Sequence, residues 1–164
     1  MKVIAFYNQK GGVGKTASAL AVSDILAEKY KKKVLIVDLD AQANTSLFFG
    51  KVKAGEYMQA MLLSLPISQK KIGLSIENLL LDASLDIHDV IQHTQYPGLD
   101  LIPSFLTLSA CENRIQADIT SPQQFRLKKH FSKIMDEYDY CILDCSPSIS
   151  LVNINGLAMA DWVY

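Results

Sequence analysis

The chain has 164 residues, of which 49% are hydrophobic and 20% are charged, and its formal net charge is −1. This composition is typical of one soluble globular domain, residues 1–164, and the charge does not indicate binding to nucleic acid or membranes by the chain as a whole. A local basic patch could still be present. No apolar run is long enough to span a bilayer, and the apolar start of the chain is too short for a signal peptide. We therefore expect an intracellular protein.

The three cysteines, Cys111, Cys141 and Cys145, are odd in number and lack the spacing of a disulfide framework. No C-x-x-C pair is present, which argues against a zinc or iron–sulfur site. We expect buried free thiols, as in a reducing cytoplasm.

The first 40 residues predict a strand, a helix and a second strand. Residues 3–7 and 34–37 are continuous apolar runs, typical of strands that are buried on both faces. The helix is predicted over residues 15–31. Its apolar face contains Ala17, Ala21 and Ile25, with Val22 and Leu26 beside them. Two buried strands joined by a helix imply a parallel sheet.

The rest of the chain predicts further helices and strands. Helices are expected at residues 56–65, Ile76–Leu81, 89–93, 107–117, 122–138 and 151–160, and strands at residues 99–103, 140–143 and 161–164. Ser121 followed by Pro122 predicts the start of the helix at residues 122–138. The fold class is therefore α/β, a mostly parallel twisted sheet with helices on both faces. A sheet that ends within a strand leaves an exposed edge, so we expect the natural domain to continue beyond residue 164.

A glycine-rich loop between the first strand and the first helix is the strongest functional signal. It reads Gln9-Lys10-Gly11-Gly12-Val13-Gly14-Lys15-Thr16. Glycines allow backbone N–H groups to surround phosphate oxygens, and the helix N-terminus adds partial positive charge. Lys15 can reach the β- and γ-phosphates, and the Thr16 hydroxyl can ligate Mg²⁺. The strict pattern G-x-x-x-x-G-K-[ST] is broken at Gln9, but the position between strand and helix predicts a phosphate loop of a P-loop NTPase.

Three aspartates follow predicted strands. Asp38 and Asp40 lie two apart and point to the same side of one strand end, and Asp144 ends another strand. Ligands of open parallel sheets bind at the carboxyl ends of strands, so these carboxylates and the phosphate loop can converge on one triphosphate. Asp144 suits a carboxylate that holds Mg²⁺, with Asp38 as a further candidate metal residue. Asp40 could position or activate the attacking water.

Together these segments resemble the ParA/MinD family of deviant-Walker ATPases, and most closely the short, Soj-like ParA proteins of plasmid and chromosome partition. The similarity is strong at residues 1–50 and again from residue 99 onward. The matching segments are residues 8–16, 34–44, 101–104, 138–148, 155–158 and 160–161. Ala17 stands where a second threonine is usual, and Ser146 stands where a proline is common.

The resemblance implies ATP and Mg²⁺ as ligands and a role for each site residue. Lys10 would be the signature lysine, which reaches the phosphates of the partner in an ATP-bound homodimer. Residues 11–17 would surround the triphosphate through Gly11, Gly12, Val13, Gly14, Lys15, Thr16 and Ala17. Lys10, Lys15 and Asp40 would be catalytic, and Thr16, Asp144 and Asp38 would serve the metal. A ParB-like partner would stimulate slow hydrolysis, and the full-length protein would bind DNA non-specifically, at the nucleoid rather than a membrane.

Three alternatives to a partition ATPase stay open. A MinD-like membrane-cycling ATPase would need a C-terminal amphipathic helix, which these 164 residues do not predict. A metal-cluster carrier of the same superfamily would need paired cysteines. A non-hydrolysing nucleotide-binding interaction module would show only background ATP turnover.

Overall fold

The computed structural model describes residues 1–50, 73–118 and 122–164. Within them, six strands form one sheet in the order β3-β4-β2-β5-β1-β6. Neighbouring strands are parallel, except that β3 is antiparallel to β4. The strands are β1 (Lys2–Phe6), β2 (Val34–Leu39), β3 (Gln92–His93), β4 (Leu99–Ile102), β5 (Tyr140–Cys145) and β6 (Trp162–Val163).

Six α-helices in the described residues cover the two faces of the sheet. They are α1 (Lys15–Asp24), α2 (Asn44–Phe48), α3 (Ile76–Leu81), α4 (Leu108–Ala117), α5 (Arg126–Phe131) and α6 (Leu151–Leu157). A π-helical segment, Ile25–Lys29, follows α1 directly, and a 3₁₀ turn is formed by Ile87–Asp89. The predicted α/β class, with a mostly parallel sheet between helices, is confirmed.

The central strands separate two hydrophobic clusters because alternate residues of a strand point to opposite faces. Leu35, Val37 and Leu39 of β2 pack in one cluster with residues of α3, α4, α5 and α6. Val34 and Ile36 pack in the other with residues of α1. All six residues of β2 are buried, as the continuous apolar run predicted.

The apolar face predicted for α1 is wrong. Ala17, Ala21 and Ile25 are exposed, whereas Ala19 and Ser23 are buried against the sheet. Their small side chains give the helix a narrow buried face, and the Ser23 hydroxyl is satisfied because it donates to the Ala19 carbonyl at 2.7 Å. Val22 and Leu26 are partly buried beside this face, as expected.

Three other predicted elements differ from the structure. The helix expected at residues 89–93 is a 3₁₀ turn followed by β3, which adds to the sheet through β4. The helix expected at residues 122–138 spans only Arg126–Phe131, with turns before and after it. β6 pairs with β1 as a strand, but its side chains are exposed because it lies at the edge of the described sheet. The helix predicted at residues 56–65 and the Ser121 cap lie outside the described residues.

The three cysteines are buried free thiols, as predicted. Burial raises the pKa of Cys111 and of Cys145 to about 12, so both stay protonated and unreactive at neutral pH. In the portion of the chain that the structure describes, no helix has the length and apolar character needed to cross a membrane.

Candidate nucleotide-binding site

The glycine-rich loop and two of the three aspartates lie at the same edge of the sheet. In the parallel register, Asp144 of β5 is level with Phe6 of β1 on one side and with Asp38 of β2 on the other. β1 leads directly into the loop at residues 7–14, which precedes α1. The carboxyl ends of three neighbouring strands therefore bring together the groups that the sequence predicted to converge.

Two glycines give the loop its turn. Gly12 and Gly14 have φ angles of 72° and 86°, in the left-handed region that residues with a Cβ rarely adopt, and Gly14 is the N-cap of α1. A Cβ added at Gly11, Gly12 or Gly14 would meet no atom within 4 Å among residues 1–50, 73–118 and 122–164, so the described part of the chain leaves open space beside the loop. The loop therefore presents its backbone to an accessible volume beside the positive end of α1.

The two lysines of the loop differ in their contacts. The Lys15 ammonium donates to the carbonyl oxygen of Lys10 at 3.3 Å, which holds this side chain over the loop. The backbone N–H of Lys10 donates to the Asn8 side-chain oxygen at 2.9 Å. Among the described residues, the Lys10 ammonium makes no hydrogen bond or ion pair.

Asp144 links the loop to the segment after β2. Its Oδ1 accepts from the Thr16 hydroxyl at 3.2 Å, and its Oδ2 accepts from the Thr45 hydroxyl at 2.8 Å. Burial raises the pKa of Asp144, while both hydroxyl hydrogen bonds oppose the shift. The structure thus brings together Thr16 and Asp144 as predicted. Sequence reasoning missed Thr45. This residue lies in α2, which follows the turn after β2, and no motif in the sequence marked it.

Asp38 is fully buried and has a different set of partners. Its Oδ2 accepts from the backbone N–H and the hydroxyl of Ser46, at 2.9 and 2.7 Å. Its Oδ1 accepts from the backbone N–H of Asp40 at 3.1 Å. Burial, followed by the charge of Asp144, raises the pKa of Asp38 to about 7, against the lowering effect of these hydrogen bonds. Its role as a metal residue stays a prediction.

Asp40 begins a tightly bonded turn between β2 and α2. Its Oδ1 accepts from the backbone N–H of Gln42 at 2.9 Å, and its carbonyl oxygen accepts from the backbone N–H of Ala43 at 2.9 Å and from the Ser104 hydroxyl. Ala43 has a φ of 53° and is the N-cap of α2. Burial is the main cause of the raised pKa of Asp144, and the charge of Asp40 adds to it.

A cleft of about 410 Å³ lies beside this turn. Its walls come from the residues after β2, the first turns of α4, and the loop and helix that follow β5. The lining residues are Leu39, Asp40, Ala41, Gln42, Leu108, Ser109, Glu112, Ser146, Pro147, Ser148, Ser150 and Val152. Asp40 therefore borders a space that water or a partner's side chain could enter.

The loop after β5 is held by one buried amide. The Asn153 Nδ2 donates to the carbonyl oxygens of Ser146 and Ser148 at 2.9 and 2.7 Å, and the Ser150 hydroxyl caps α6 by accepting from the Asn153 backbone N–H. This network sets the far wall of the cleft. The sequence singled out Ser146 but not Asn153.

The donor groups suit a nucleotide with Mg²⁺. Backbone N–H groups, Lys15 and a helix N-terminus favour an anion, and the hydroxyl and carboxylate of Thr16 and Asp144 are hard oxygen ligands. In the described part of the chain, no three His, Cys, Asp or Glu residues cluster as a metal site. Proteins usually bind Mg²⁺ through one or two carboxylates together with phosphates and waters.

Sequence comparisons identify a matching family and related proteins. A family profile described as an AAA domain matches residues 1–164. The sporulation initiation inhibitor protein Soj of Bacillus subtilis is 35% identical over 162 residues, which cover 99% of this chain and 56% of Soj. The chain thus spans about half the length of the curated relatives that it matches.

Solved structures share the fold. A plasmid partition protein of Borrelia burgdorferi, bound to AMPPNP, is 31% identical with a TM-score of 0.74, covering 99% of this chain and 60% of that protein. Cobyrinic acid a,c-diamide synthase of Mycobacterium smegmatis, with an ATP analogue and magnesium, is 28% identical with a TM-score of 0.77, covering 99% and 58%.

Proposed function

Because this chain belongs to the ParA/MinD family and matches the AAA domain profile over residues 1–164, we propose that it forms part of a Mg²⁺-dependent ATPase that serves as an ATP-driven dimerisation switch in plasmid or chromosome partition. The observation that carries the proposal is the link between loop and sheet, in which Thr16 donates to Asp144. A glycine-rich turn that bound nothing would not need a buried carboxylate aligned with its first helical hydroxyl.

The loop would bind the triphosphate. Backbone N–H groups of residues 11–17 and the Lys15 ammonium would neutralise its charge, as phosphoryl transfer depends on positioning and electrostatics rather than covalent chemistry. Thr16 and Asp144 would hold Mg²⁺, which supplies charge neutralisation at the β- and γ-phosphates. Nucleotide or magnesium accompanies the related structures from Borrelia burgdorferi and Mycobacterium smegmatis.

Hydrolysis would depend on Asp40. Asp40 lines the cleft, and it directly follows β2, which pairs with the strand that contains Asp144. Both observations support a role in orienting the attacking water. An active site that lacks one catalytic group hydrolyses ATP slowly until a partner protein completes the site. We therefore propose slow hydrolysis that a ParB-like protein stimulates.

Dimerisation and DNA binding would be properties of the whole protein. Lys10 would reach the phosphates of a second copy in the ATP-bound homodimer, and non-specific DNA binding would place the protein at the nucleoid in the cytoplasm. That the chain is the N-terminal part of a longer domain stays a prediction.

The phosphate-loop assignment is tested by Lys15→Ala. We expect this variant to lose nucleotide affinity by roughly 30-fold or more, because a charge-assisted contact to phosphate is removed. Isothermal titration with a non-hydrolysable ATP analogue and Mg²⁺ measures the loss. Lys31→Ala, at an exposed ion pair with Glu28, is the matched control and should bind as the wild type does.

Unchanged affinity in Lys15→Ala would discard the assignment. Wild-type protein that binds the analogue, yet hydrolyses ATP only at background with and without DNA and a ParB-like partner, would favour a non-hydrolysing interaction module.

A further inference from the structure

We propose that Asp38 is a positioning residue for Asp40, acting through a closed ring of hydrogen bonds with Ser46 and Ser104. This ring, the Asp38–Ser46–Ser104 ring, holds the main chain of Asp40 at both its N–H and its carbonyl group. The inference rests on the proposed ATPase function and assigns a task to a carboxylate that the sequence pattern offered only as a metal residue.

The acceptor sites of Asp38 are largely used within its own segment. Two donors of Ser46 bond to Oδ2, and the Asp40 N–H bonds to Oδ1. A carboxylate offers about four lone-pair sites, so three of them are taken. The side chain is also fully buried, whereas an outer-sphere metal ligand would need room for a bridging water.

The ring closes through the residues that follow β4. The Ser46 hydroxyl, which donates to Asp38, accepts from the Ser104 backbone N–H at 2.9 Å. The Ser104 hydroxyl then donates to the carbonyl oxygen of Asp40. Ser46 and Ser104 are both buried, so water does not compete for these hydrogen bonds.

Asp144 has a contrasting environment. Its two partners are the side-chain hydroxyls of Thr16 and Thr45, which can rotate away when a cation needs the carboxylate oxygens. Asp38 instead accepts two backbone N–H groups that cannot rotate away. Asp144 is thus available to the cation, whereas Asp38 fixes the turn that presents Asp40 to the cleft.

The test compares Asp38→Asn and Ser104→Ala with Asp144→Asn in the purified protein. Steady-state ATP hydrolysis is measured against Mg²⁺ concentration, and binding of a non-hydrolysable ATP analogue is measured in parallel. Asp38→Asn places an NH₂ group against donors, and Ser104→Ala removes the hydrogen bond to the Asp40 carbonyl without a change of charge. Both should lower kcat by roughly 10- to 100-fold, because a displaced catalytic group costs rates of this order.

Positioning predicts that nucleotide affinity and the Mg²⁺ concentration for half-maximal rate are unchanged in both variants, whereas Asp144→Asn raises the Mg²⁺ requirement. The double variant Asp38→Asn/Ser104→Ala should lose less than the product of the single losses, because both changes break one ring. A raised Mg²⁺ requirement in Asp38→Asn would identify a metal residue and overturn the proposal. Wild-type kcat in Ser104→Ala would overturn it as well.

Hydrogen exchange at the Asp40 and Ala43 amides supplies a readout that does not need hydrolysis. Exchange should be faster in Ser104→Ala and in Asp38→Asn than in the wild type, with thermal unfolding as the check that each variant is folded. Unchanged exchange at both amides in folded variants would overturn the ring. ATP turnover at background in the wild type would instead reject the proposed function, and exchange would still decide the role of Asp38.

Discussion

Lys10 is the site residue whose proposed role needs a second copy of the chain. Its ammonium makes no hydrogen bond or ion pair among the described residues, although its carbonyl oxygen accepts from Lys15. We expect Lys10→Ala to bind nucleotide with nearly wild-type affinity as a monomer and to lose most of its ATP-dependent dimer. Light scattering with a non-hydrolysable ATP analogue measures the loss.

Lys29→Ala is the control for this change. Lys29 ends the π-helical segment that follows α1, away from the glycine-rich loop, and its ammonium lies over the Tyr30 ring. The dimer of this variant should match that of the wild type. An intact ATP-dependent dimer in Lys10→Ala would contradict a role at the partner's phosphates.

At position 98, both the backbone conformation and a close neighbour favour glycine. Its φ is +80°, and an added Cβ would lie 3.1 Å from the carbonyl oxygen of Lys32. Gly98→Ala should lower the free energy of unfolding by roughly 1–3 kcal/mol, as measured by urea denaturation. Gly50 has a φ of +66°, and an added Cβ there would meet no atom of the described residues within 4 Å. Gly50→Ala therefore reports the backbone strain without the close contact, and it should cost less.

At the scale of elements, α6 packs against leucine side chains of the sheet at Gly156. A Cβ at Gly156 would stand 2.5 Å from Leu39 Cδ1 and 3.4 Å from Leu143 Cδ1, so only glycine fits this contact without a shift in the core. Gly156→Val should destabilise the protein by roughly 1–3 kcal/mol through overpacking.

Thermal and urea unfolding measure this effect, with Ile154→Val on the exposed side of α6 as the control. Ile154 is 37% exposed, so its change should be within about 0.5 kcal/mol of the wild type. A Gly156→Val variant as stable as this control would mean that α6 can move away from β2 at little cost.

Several elements could be predicted from local signals. Val34 to Val37 form a central strand because a continuous apolar run suits burial on both faces, and Ile76–Leu81 is a helix with the predicted bounds. The buried face of α1 could not be predicted, since it contains Ala19 and Ser23, whose small side chains are selected by the distance to the sheet rather than by hydrophobicity. β3 was missed because a two-residue strand depends on its partner β4.

At the scale of the whole molecule, one histidine connects distant segments and makes stability depend on pH. The His88 Nδ1 lies 2.7 Å from Asp86 Oδ1, and its Nε2 lies 2.9 Å from Glu137 Oε1. The hydrogen bond to Glu137, followed by that to Asp86, raises the pKa of His88. The folded state therefore binds the proton more tightly than the unfolded state, so the added stability is complete below the unfolded pKa and is lost as pH rises through the folded pKa.

We expect His88→Gln to be less stable than the wild type at about pH 6 and equally stable at about pH 9. The difference should not exceed about 1 kcal/mol, because all three side chains are largely exposed to solvent. Urea denaturation at both pH values measures the difference in stability. His93→Gln provides a comparison, because His93 is an exposed histidine of β3 that pairs with Asp100 of the neighbouring strand β4. A His88→Gln deficit that persisted at the higher pH would contradict the ionic origin.

The sequence by itself determined the parallel α/β class, the phosphate loop and the alignment of Asp144 with it, because each depends on local patterns. Apolar runs specify buried strands, glycines specify the turn, and carboxyl ends of parallel strands share an edge. Only the tertiary structure decided the partners of each carboxylate. The packing of α2 brings Thr45 to the Asp144 carboxylate and Ser46 to the Asp38 carboxylate. Ser104, which follows β4, donates to the main-chain carbonyl of Asp40 rather than to its carboxylate. No spacing along the chain encodes these contacts.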